Sequence, residues 1–409
     1  MSGCWLTLGK PYKGVWSVQE KKRKTYQMRS LFTYLLLLVS FANPLHAKCG
    51  GSFGVFVQGL EDEAVAKGFD AEIVNAFLAG SRQDPSVLQA DRRQGVFQLP
   101  FTDFARRLIS ANRIDKGRAN ATQWRSVFDR VEADYGVSRH VLLAFWAFET
   151  DYGAFQGDFN TRNALITLAH DCRRPELFRP QVFAAMELFA AGDFDPDKTT
   201  GAWAGEIGMV QMLPRDIIEN GVDGDGDGHV TLKTSVPDAL MSGAQMLQSL
   251  GWRAGEPWLQ EVFLPAGFDM SLTGLPTRKS AVDWAALGVR GRSAPLDQSL
   301  SGSLILPQGQ GGPTFLAYPN FDVFFEWNQS FTYVLTAAYF ATRLGGAPVF
   351  DAGSPAPGLS GEDMKLLQQK LTARGYDVGK ADGILGAGTR AAVRAVQAEF
   401  GMPVDAWPT

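Results

Sequence analysis

Residues 139–153 read RHVLLAFWAFETDYG, a run of bulky apolar side chains that stops at a single acid, Glu149. Residues 139–149 are apolar on almost every face, which is typical of a helix buried on all sides rather than of an amphipathic surface helix. Glu149 then lies at the C-terminal end of that helix, where burial and the negative end of the helix dipole both disfavour the carboxylate. Both effects raise the pKa, as a general acid working near neutral pH requires.

Simpler interpretations of Glu149 remain open at this point. The residue could end the helix in solvent, just before the turn TDYG. Asp151 is the nearest candidate partner, but a residue two positions along a helix points to a different face. Hydrolytic glycosidases usually use two carboxylates, so the second one has to be sought elsewhere in the chain.

A second stretch, GAWAGEIGMVQMLPRDI at 201–217, contributes backbone access and a neutral polar group. Gly205 and Gly208 allow another chain or a ligand to approach the backbone closely, and Gln211 offers a side chain that both donates and accepts hydrogen bonds. Glu206 could be a second acid close to the cleft. We expect it instead to be a solvated or hydrogen-bonded turn residue.

Together, FETDYG and GAWAGEIGMVQMLP resemble the lytic murein transglycosylases of the membrane-bound lytic transglycosylase B type. Three further segments follow in the order of that family: NGVDGDGDGHV, PDALMSGAQMLQSLGWRAGEPW and FDVFFEWNQSFTYVLTAAYF. The resemblance implies an α+β, mainly α, lysozyme-like catalytic domain in which Glu149 is the only acid/base. In that family the muramyl 6-hydroxyl attacks its own anomeric carbon, and an intramolecular nucleophile has a high effective molarity, so no second carboxylate is needed.

The resemblance also assigns substrate-binding residues. Gln211 and Met212 match the pair at the floor of the family's cleft. Trp327 and Asn328 match a Tyr-Asn pair near its active site, and Tyr333 matches the tyrosine five positions after that Asn. Trp at 327 departs from the family's Tyr, which changes how a sugar would stack there.

The loop DGDGDGHVTLKT at 223–234 has the beginning of an EF-hand calcium loop. Three carboxylates and one backbone carbonyl are its candidate ligands: Asp223, Asp225, Asp227 and His229. Thr234 replaces the bidentate Glu of position 12, so Asp238 would have to complete the site, as an Asp beyond the loop does in the resembled family. We predict a structural Ca²⁺ that the chemistry does not require, and the alternative is a plain Gly/Asp turn.

The C-terminal segment reads as a separate module. DAGSPAPGLSGED at 351–363 has the composition of a linker. LQQKLTARGYDVGKADGILGAGTRAAVRAVQAEFGMPVDA at 367–406 resembles the small helical peptidoglycan-binding module, and the alternative is a two-helix packing appendage. We therefore divide the chain into a catalytic domain at 48–350, a linker at 351–363 and a peptidoglycan-binding domain at 364–409.

Helical periodicity dominates the chain from about residue 53 to residue 344, with few strand-like patches. Examples of such patches are EVFLP at 261–265 and FDVFFEW at 321–327. Residues 270–313 are rich in Gly, Pro and Ser and predict a long surface excursion.

The N-terminus has the pattern of an export signal. MRSLFTYLLLLVSFANPLHA has a basic start, an apolar run of 12 residues and a small residue, Ala47, at its end. That run is too short to span a bilayer, which takes about 20 residues, so we expect cleavage of residues 1–47 and no stable membrane anchor. Met1 and Met28 both remain possible starts. Export predicts a periplasmic protein and permits a disulfide between Cys49 and Cys172, with two buried thiols as the alternative.

The remaining properties restrict the partners. The formal net charge is −4, and the N-terminal 47 residues hold seven of the basic residues, so bulk attraction to nucleic acid is excluded as a function. The expected partner of a monomeric enzyme is the peptidoglycan glycan strand, cut between N-acetylmuramic acid and N-acetylglucosamine with 1,6-anhydromuramyl ends. A hydrolytic muramidase and a non-catalytic wall-binding protein are the alternatives.

Overall fold

The computed structural model describes residues 49–93 and 99–409. The predicted signal at residues 1–47 lies outside the described residues. Within the described ranges, no helix is both long enough and apolar enough to cross a membrane.

Helices are the main element of the described chain, and the rest consists of short antiparallel strands, turns and loops. The helices are α1 Phe53–Ala66, α2 Ala71–Leu78, α3 Pro85–Arg92, α4 Phe101–Leu108, α5 Ala111–Gln123, α6 Arg125–Tyr135, α7 Arg139–Thr150, α8 Thr161–His170, α9 Pro175–Ala191, α10 Pro214–Asn220, α11 Val236–Ser249, α12 Ala281–Ala286, α13 Pro319–Trp327, α14 Phe331–Leu344, α15 Gly361–Ala373 and α16 Ala387–Glu399. The strands are β1 Phe159–Asn160, β2 Thr200–Gly201, β3 Leu259–Phe263, β4 Lys279–Ser280, β5 Arg290–Gly291, β6 Ser301–Ile305 and β7 Phe315–Ala317.

The central helix is α7, which the apolar run at 139–149 predicted. Ser138 caps its N-terminus by accepting a hydrogen bond from the His140 N–H. Every residue from Val141 to Thr150 is buried, because α5, α6, α11 and α14 all pack against this helix. The helix therefore delivers Glu149 into the interior of the main core.

Two sheets accompany the helices. β1 and β2 form a two-stranded antiparallel pair that follows α7 in the chain. The other five strands form an antiparallel sheet in the order β4-β6-β7-β3-β5. β3 confirms the strand expected at 261–265, although it begins two residues earlier, at Leu259.

The strand expected at 321–327 is wrong, because FDVFFEW lies in helix α13. Pro319 begins this helix at a position where its missing N–H costs nothing, and Asp322 lies in the first turn. Phe321, Val323 and Phe324 are all buried, so the apolar residues face several neighbours and leave no helical pattern in the sequence.

The surface excursion expected at 270–313 is also wrong. This segment contains β4, α12, β5 and β6, and it builds a second small core around Trp284. The Trp284 ring is fully buried and its Nε1 donates to the carbonyl of Gly302 at 2.9 Å. Frequent Gly and Pro here mark tight turns between short strands rather than an unstructured loop.

The C-terminal module has its own core, which is formed by Leu371, Val378, Ala392 and Val393. Helix α15 begins at Gly361, inside the segment predicted to be linker. At the other end of the described chain, Cys49 and Cys172 are joined in a disulfide that ties the N-terminal arm to the segment after α8.

Candidate active site

Glu149 is completely buried, and both of its side-chain hydrogen bonds are accepted by a single oxygen. The Tyr333 hydroxyl donates to Oε1 at 2.6 Å and the Trp327 Nε1 donates to the same atom at 3.0 Å. Oε2 is buried and accepts no hydrogen bond from any residue in the described ranges. A buried oxygen with no protein partner is costly unless a ligand or a proton satisfies it.

The environment of Glu149 keeps its carboxyl group protonated at neutral pH. Burial raises the pKa from 4.5 to about 8, and this effect outweighs the two donors, which stabilise the carboxylate and lower the pKa. Glu206 adds a smaller electrostatic contribution that also raises the pKa. Since Tyr333 and Trp327 both occupy Oε1, the acid proton resides on Oε2.

Trp327 and Asn328 have structural contacts that the sequence did not predict. The Trp327 ring is 3% exposed and stacks on Phe145 with centroids 4.3 Å apart, so it lies under Glu149 rather than open to a sugar. Asn328 is also buried, and its Oδ1 accepts a hydrogen bond from the Ser330 N–H at 2.8 Å. Tyr333 is equally buried, and it contacts Glu149 from the interior of the core, as Trp327 does.

Gln211 lies in a tight turn next to α7. Its φ of 54° is a left-handed conformation, and its Nε2 donates to the carbonyls of Gly208 at 2.7 Å and Gln156 at 3.3 Å. Met212 closes the turn through reciprocal backbone hydrogen bonds with Ile207 and is 1% exposed, so its side chain belongs to the core. The turn therefore fixes the segment that follows Glu149 through Gln156.

The glycines of this turn are required by the protein's own chain. A Cβ on Gly205 would lie 2.2 Å from Leu165 Cδ2, and one on Gly208 would lie 2.4 Å from Leu232 Cβ. The close approach that the sequence indicated is therefore made by helix α8 and by the end of the predicted cation loop.

Asp151 is not a second catalytic carboxylate. It ends α7 in a left-handed conformation with φ 49°, and Tyr152 follows with φ 63°. The Asp151 carboxylate accepts hydrogen bonds from Arg113 Nε at 3.0 Å and Lys116 Nζ at 2.9 Å. Two consecutive non-glycine residues in this region are strained, and the pairing with α5 holds them in place.

Glu206 was expected to be a solvated or hydrogen-bonded turn residue, and because it is 2% exposed the solvated form is wrong. Its backbone carbonyl accepts a hydrogen bond from the Ala202 N–H at 2.9 Å, which fits the expected turn. The side chain lies within electrostatic range of Glu149.

The predicted cation loop brings its three aspartates together. One carboxylate oxygen each from Asp223, Asp225 and Asp227 lies within 4.8 Å of the others, a cluster of like charges that a divalent cation would neutralise. Asp238 has a different place, because its Oδ1 accepts from the Gly224 N–H at 2.9 Å and its Oδ2 from the Thr231 N–H at 2.7 Å. It holds the two ends of the loop instead of reaching into its centre.

The loop is attached directly to the active-site turn. The Met209 N–H donates to the Leu232 carbonyl at 2.9 Å, and Gln156 Nε2 donates to the Lys233 carbonyl at 3.0 Å. His229 was expected to offer its backbone carbonyl to the cation. Its ring contacts a residue outside the loop, since Nδ1 lies 2.7 Å from Asp193 Oδ1.

Three contributors to this site gave no usable signal in the sequence. The Thr150 hydroxyl donates to the Met209 carbonyl at 2.7 Å and so joins α7 to the Gln211 turn. Arg113 and Lys116 come from α5, which lies earlier in the chain. They are three positions apart, and this spacing indicates only that they share one face of a helix.

Comparison with known proteins places both parts of the chain. Residues 52–342 match the family described as transglycosylase SLT domain, and residues 360–407 match a peptidoglycan-binding domain family. The curated relative membrane-bound lytic murein transglycosylase B of Escherichia coli K12 is 26% identical over 291 residues, which cover 67% of this chain and 78% of that protein.

Solved structures agree with this placement. SltB3 from Pseudomonas aeruginosa in complex with NAG-anhNAM-pentapeptide is 38% identical with a TM-score of 0.81, and the match covers 88% of this chain and 98% of that one. The Escherichia coli Slt35 structure in complex with calcium is 26% identical with a TM-score of 0.63, over 74% of this chain and 98% of the other. The mainly helical, lysozyme-like fold expected from the sequence is confirmed.

Proposed function

The chain belongs to the transglycosylase SLT-domain family, and from this membership we propose that it cleaves the β-1,4 bond between N-acetylmuramic acid and N-acetylglucosamine in peptidoglycan, leaving 1,6-anhydromuramyl ends. The observation that carries the proposal is Glu149, a buried acid with one oxygen held by two donors and the other without a protein partner. A structural relative was solved with an anhydro-muramyl peptide, which supports the same product here.

In the first step Glu149 acts as a general acid. Its pKa of about 8 leaves the proton on the carboxyl group at neutral pH, and Tyr333 and Trp327 direct that proton to Oε2. Oε2 protonates the glycosidic oxygen as the bond from that oxygen to the muramyl anomeric carbon breaks. The two donors stabilise the carboxylate that this transfer creates.

In the second step Glu149 acts as a general base. The oxygen of the muramyl 6-hydroxyl forms the new bond to the anomeric carbon, and the proton of that hydroxyl is transferred to Oε2. No water is consumed, and the enzyme ends in its starting protonation state. The arrangement supports this route because the nearest acid along the chain, Asp151, is held by Arg113 and Lys116 and is not available to activate water.

Glu206 is the observation that favours hydrolysis as a second candidate, since it is buried within electrostatic range of Glu149. The two reactions differ in their products, because a hydrolysed muramyl end carries one water more than an anhydro end. Glu206→Gln separates the roles. If Glu206 only influences the pKa of Glu149, the variant still releases anhydro products, and its activity declines at lower pH than that of the wild type.

The third alternative, a non-catalytic wall-binding protein, predicts no soluble product at all. Intact sacculi would retain the protein and release no muropeptides. The protonated state of Glu149 argues for chemistry, because burying an acid that binding does not use is costly.

We also propose where the protein acts and in which oligomeric state. Peptidoglycan lies outside the cytoplasmic membrane, and the segment at 28–47 has the pattern of a cleavable export signal, so we assign the protein to the periplasm. The C-terminal module would bind the glycan while the catalytic domain cuts it. We expect a monomer, which size-exclusion chromatography with light scattering would verify.

We assign the loop at 223–234 to a structural Ca²⁺. The convergent carboxylates of Asp223, Asp225 and Asp227 fit a hard cation, and a structural relative was solved with calcium. Bound calcium would neutralise these charges and so stabilise the loop. The reaction itself uses Glu149 and needs no metal.

The test of the proposed function is digestion of purified sacculi followed by mass spectrometry of the soluble products. We expect 1,6-anhydromuramyl ends, whereas reducing muramyl ends would support hydrolysis. An undigested sacculus would support the wall-binding alternative.

A further inference from the structure

The C-terminal module reaches into the catalytic domain through Arg390 of α16. Its Nη2 donates to the Pro307 carbonyl at 2.6 Å, and its Cζ lies 4.6 Å from the centroid of the Phe331 ring. The Nε atom is buried and makes no hydrogen bond to a residue of the described ranges. A guanidinium can stack on a ring and donate in its own plane at the same time, which an ammonium cannot do.

Other contacts fix the module at several points. Arg394, one turn further along α16, donates to the Thr273 hydroxyl at 3.1 Å and the Ser271 carbonyl at 2.9 Å. Asp405 accepts a hydrogen bond from the Gln310 N–H at 2.9 Å. The module is therefore docked on the catalytic domain and does not hang from a free linker.

Phe331 is placed where this docking can influence the active site. It is the first residue of α14, is 6% exposed and packs on Phe325 of α13 with ring centroids 6.3 Å apart. α13 ends at Trp327 and α14 carries Tyr333, so each helix supplies one of the two donors to Glu149. The junction between the helices, residues 328–330, lies directly before the ring that Arg390 covers.

We propose that Arg390 is a positioning residue for catalysis: by clamping Phe331 it holds the junction of α13 and α14, so that Trp327 and Tyr333 reach Glu149 Oε1 together. The module then has a second task besides binding glycan, because it completes the support of the catalytic acid. This inference rests on the proposed transglycosylase function.

The clamp makes a prediction that wall binding does not. If Arg390 mattered only for holding the module near the glycan, its loss would raise KM on sacculi and leave kcat on short soluble glycan oligomers unchanged. If it positions the donors, kcat falls on the short substrates as well. Both donors lower the pKa of Glu149, so weaker donation raises that pKa and moves the alkaline limb of the activity profile to higher pH.

The experiment compares Arg390→Met with Arg374→Met in the full-length enzyme. Arg374 is a matched control, since its Cζ also lies over a phenylalanine ring, 5.6 Å from the centroid of Phe400. Both of these residues belong to the module, so this contact does not reach the catalytic domain. We expect Arg390→Met to lower kcat on soluble glycan oligomers at least about 10-fold, because small displacements of catalytic groups have large costs. The alkaline limb of the Arg390→Met activity profile should move to higher pH by about half a unit. Arg374→Met should match the wild type in both readouts.

Two further variants keep the test decisive if Arg390→Met does not fold. Arg390→Lys keeps the charge and should retain part of kcat, while Phe331→Leu removes the ring from the catalytic domain and should reproduce the loss. Wild-type kcat and an unchanged alkaline limb in a folded Arg390→Met or Phe331→Leu enzyme would overturn the inference. An inactive wild type would overturn the proposed function instead.

Discussion

Tyr333 and Glu149 lie 184 positions apart in the chain, and the tyrosine hydroxyl donates to Glu149 Oε1 at 2.6 Å. Trp327 donates to the same oxygen from another helix. This convergence makes the two oxygens of one carboxyl group different, because Oε1 is held by the protein and Oε2, which has no partner among the described residues, is the oxygen that the proposed mechanism assigns to the substrate.

The first prediction concerns this hydrogen bond. Tyr333→Phe removes a donor to the carboxylate that forms when Glu149 gives up its proton. Hydrogen bonds to charged groups contribute about 1.5–3 kcal/mol, so kcat should fall by roughly 10- to 100-fold. Because Tyr333 lowers the pKa of Glu149, its loss should also move the alkaline limb upward. Activity profiles between about pH 5 and 10 check both effects.

Tyr318→Phe is the matched control for this variant. Tyr318 is also fully buried, and its hydroxyl donates to Gln260 Oε1 at 2.6 Å, away from Glu149. Equal losses of kcat in Tyr318→Phe and Tyr333→Phe would contradict a specific role for the contact with Glu149.

The second prediction is that Glu149 makes the folded protein less stable as the pH rises. Burial raises its pKa in the folded state to about 8, whereas the unfolded chain releases this proton near 4.5. Below 4.5 both states are protonated and the group has no effect. Between 4.5 and 8 the folded state binds the extra proton, so its stability declines over that window.

Glu149→Gln removes this dependence while keeping the shape of the side chain. Urea unfolding of the variant and the wild type should give similar stabilities below the window and a growing advantage of the variant across it. Glu176→Gln, at an exposed glutamate of α9, serves as the control and should follow the wild type. A constant difference between Glu149→Gln and the wild type at every pH would refute the assigned protonation state.

The third prediction concerns the cation loop. Calcium should raise the melting temperature of the wild type, since a ligand at 100 times its Kd stabilises the folded state by about 2.7 kcal/mol. Asp225→Asn should abolish that increase and change little in the presence of a chelator. Differential scanning calorimetry with and without calcium measures both.

Asp238→Asn provides the contrast. Both carboxylate oxygens of Asp238 accept backbone N–H groups of the loop, so this variant should melt at a lower temperature even with chelator present. If Asp225→Asn still responds to calcium as the wild type does, the cation is bound elsewhere.

The sequence was most informative where residues close in the chain act together. The buried helix α7 and the acid at its end follow from local periodicity, and the Asp-Gly loop follows from its spacing. FDVFFEW was misread as a strand because a helix packed on several sides loses the pattern that distinguishes the two. Gly and Pro at 270–313 marked turns between short strands, and local composition does not reveal how those strands pair, as β5 does with β3 and β6 with β7.

Contacts between distant segments account for the other differences. A resemblance predicted Trp327 and Tyr333 near the site as substrate-binding residues, which stays a prediction, but it did not predict that their polar hydrogens contact Glu149. Arg390 gave no signal either, because a single arginine on a helix is most often solvated and only the docked structure shows the ring beneath it.

The fourth prediction is the central one. Glu149 cleaves the glycan by giving its proton to the glycosidic oxygen and then accepting the proton of the muramyl 6-hydroxyl. The decisive measurement is mass spectrometry of the products that the wild type and Glu149→Gln release from purified sacculi. The wild type should release muropeptides with 1,6-anhydromuramyl ends, and folded Glu149→Gln should release none. Reducing ends from the wild type, or anhydro products from Glu149→Gln at the wild-type rate, would contradict the account.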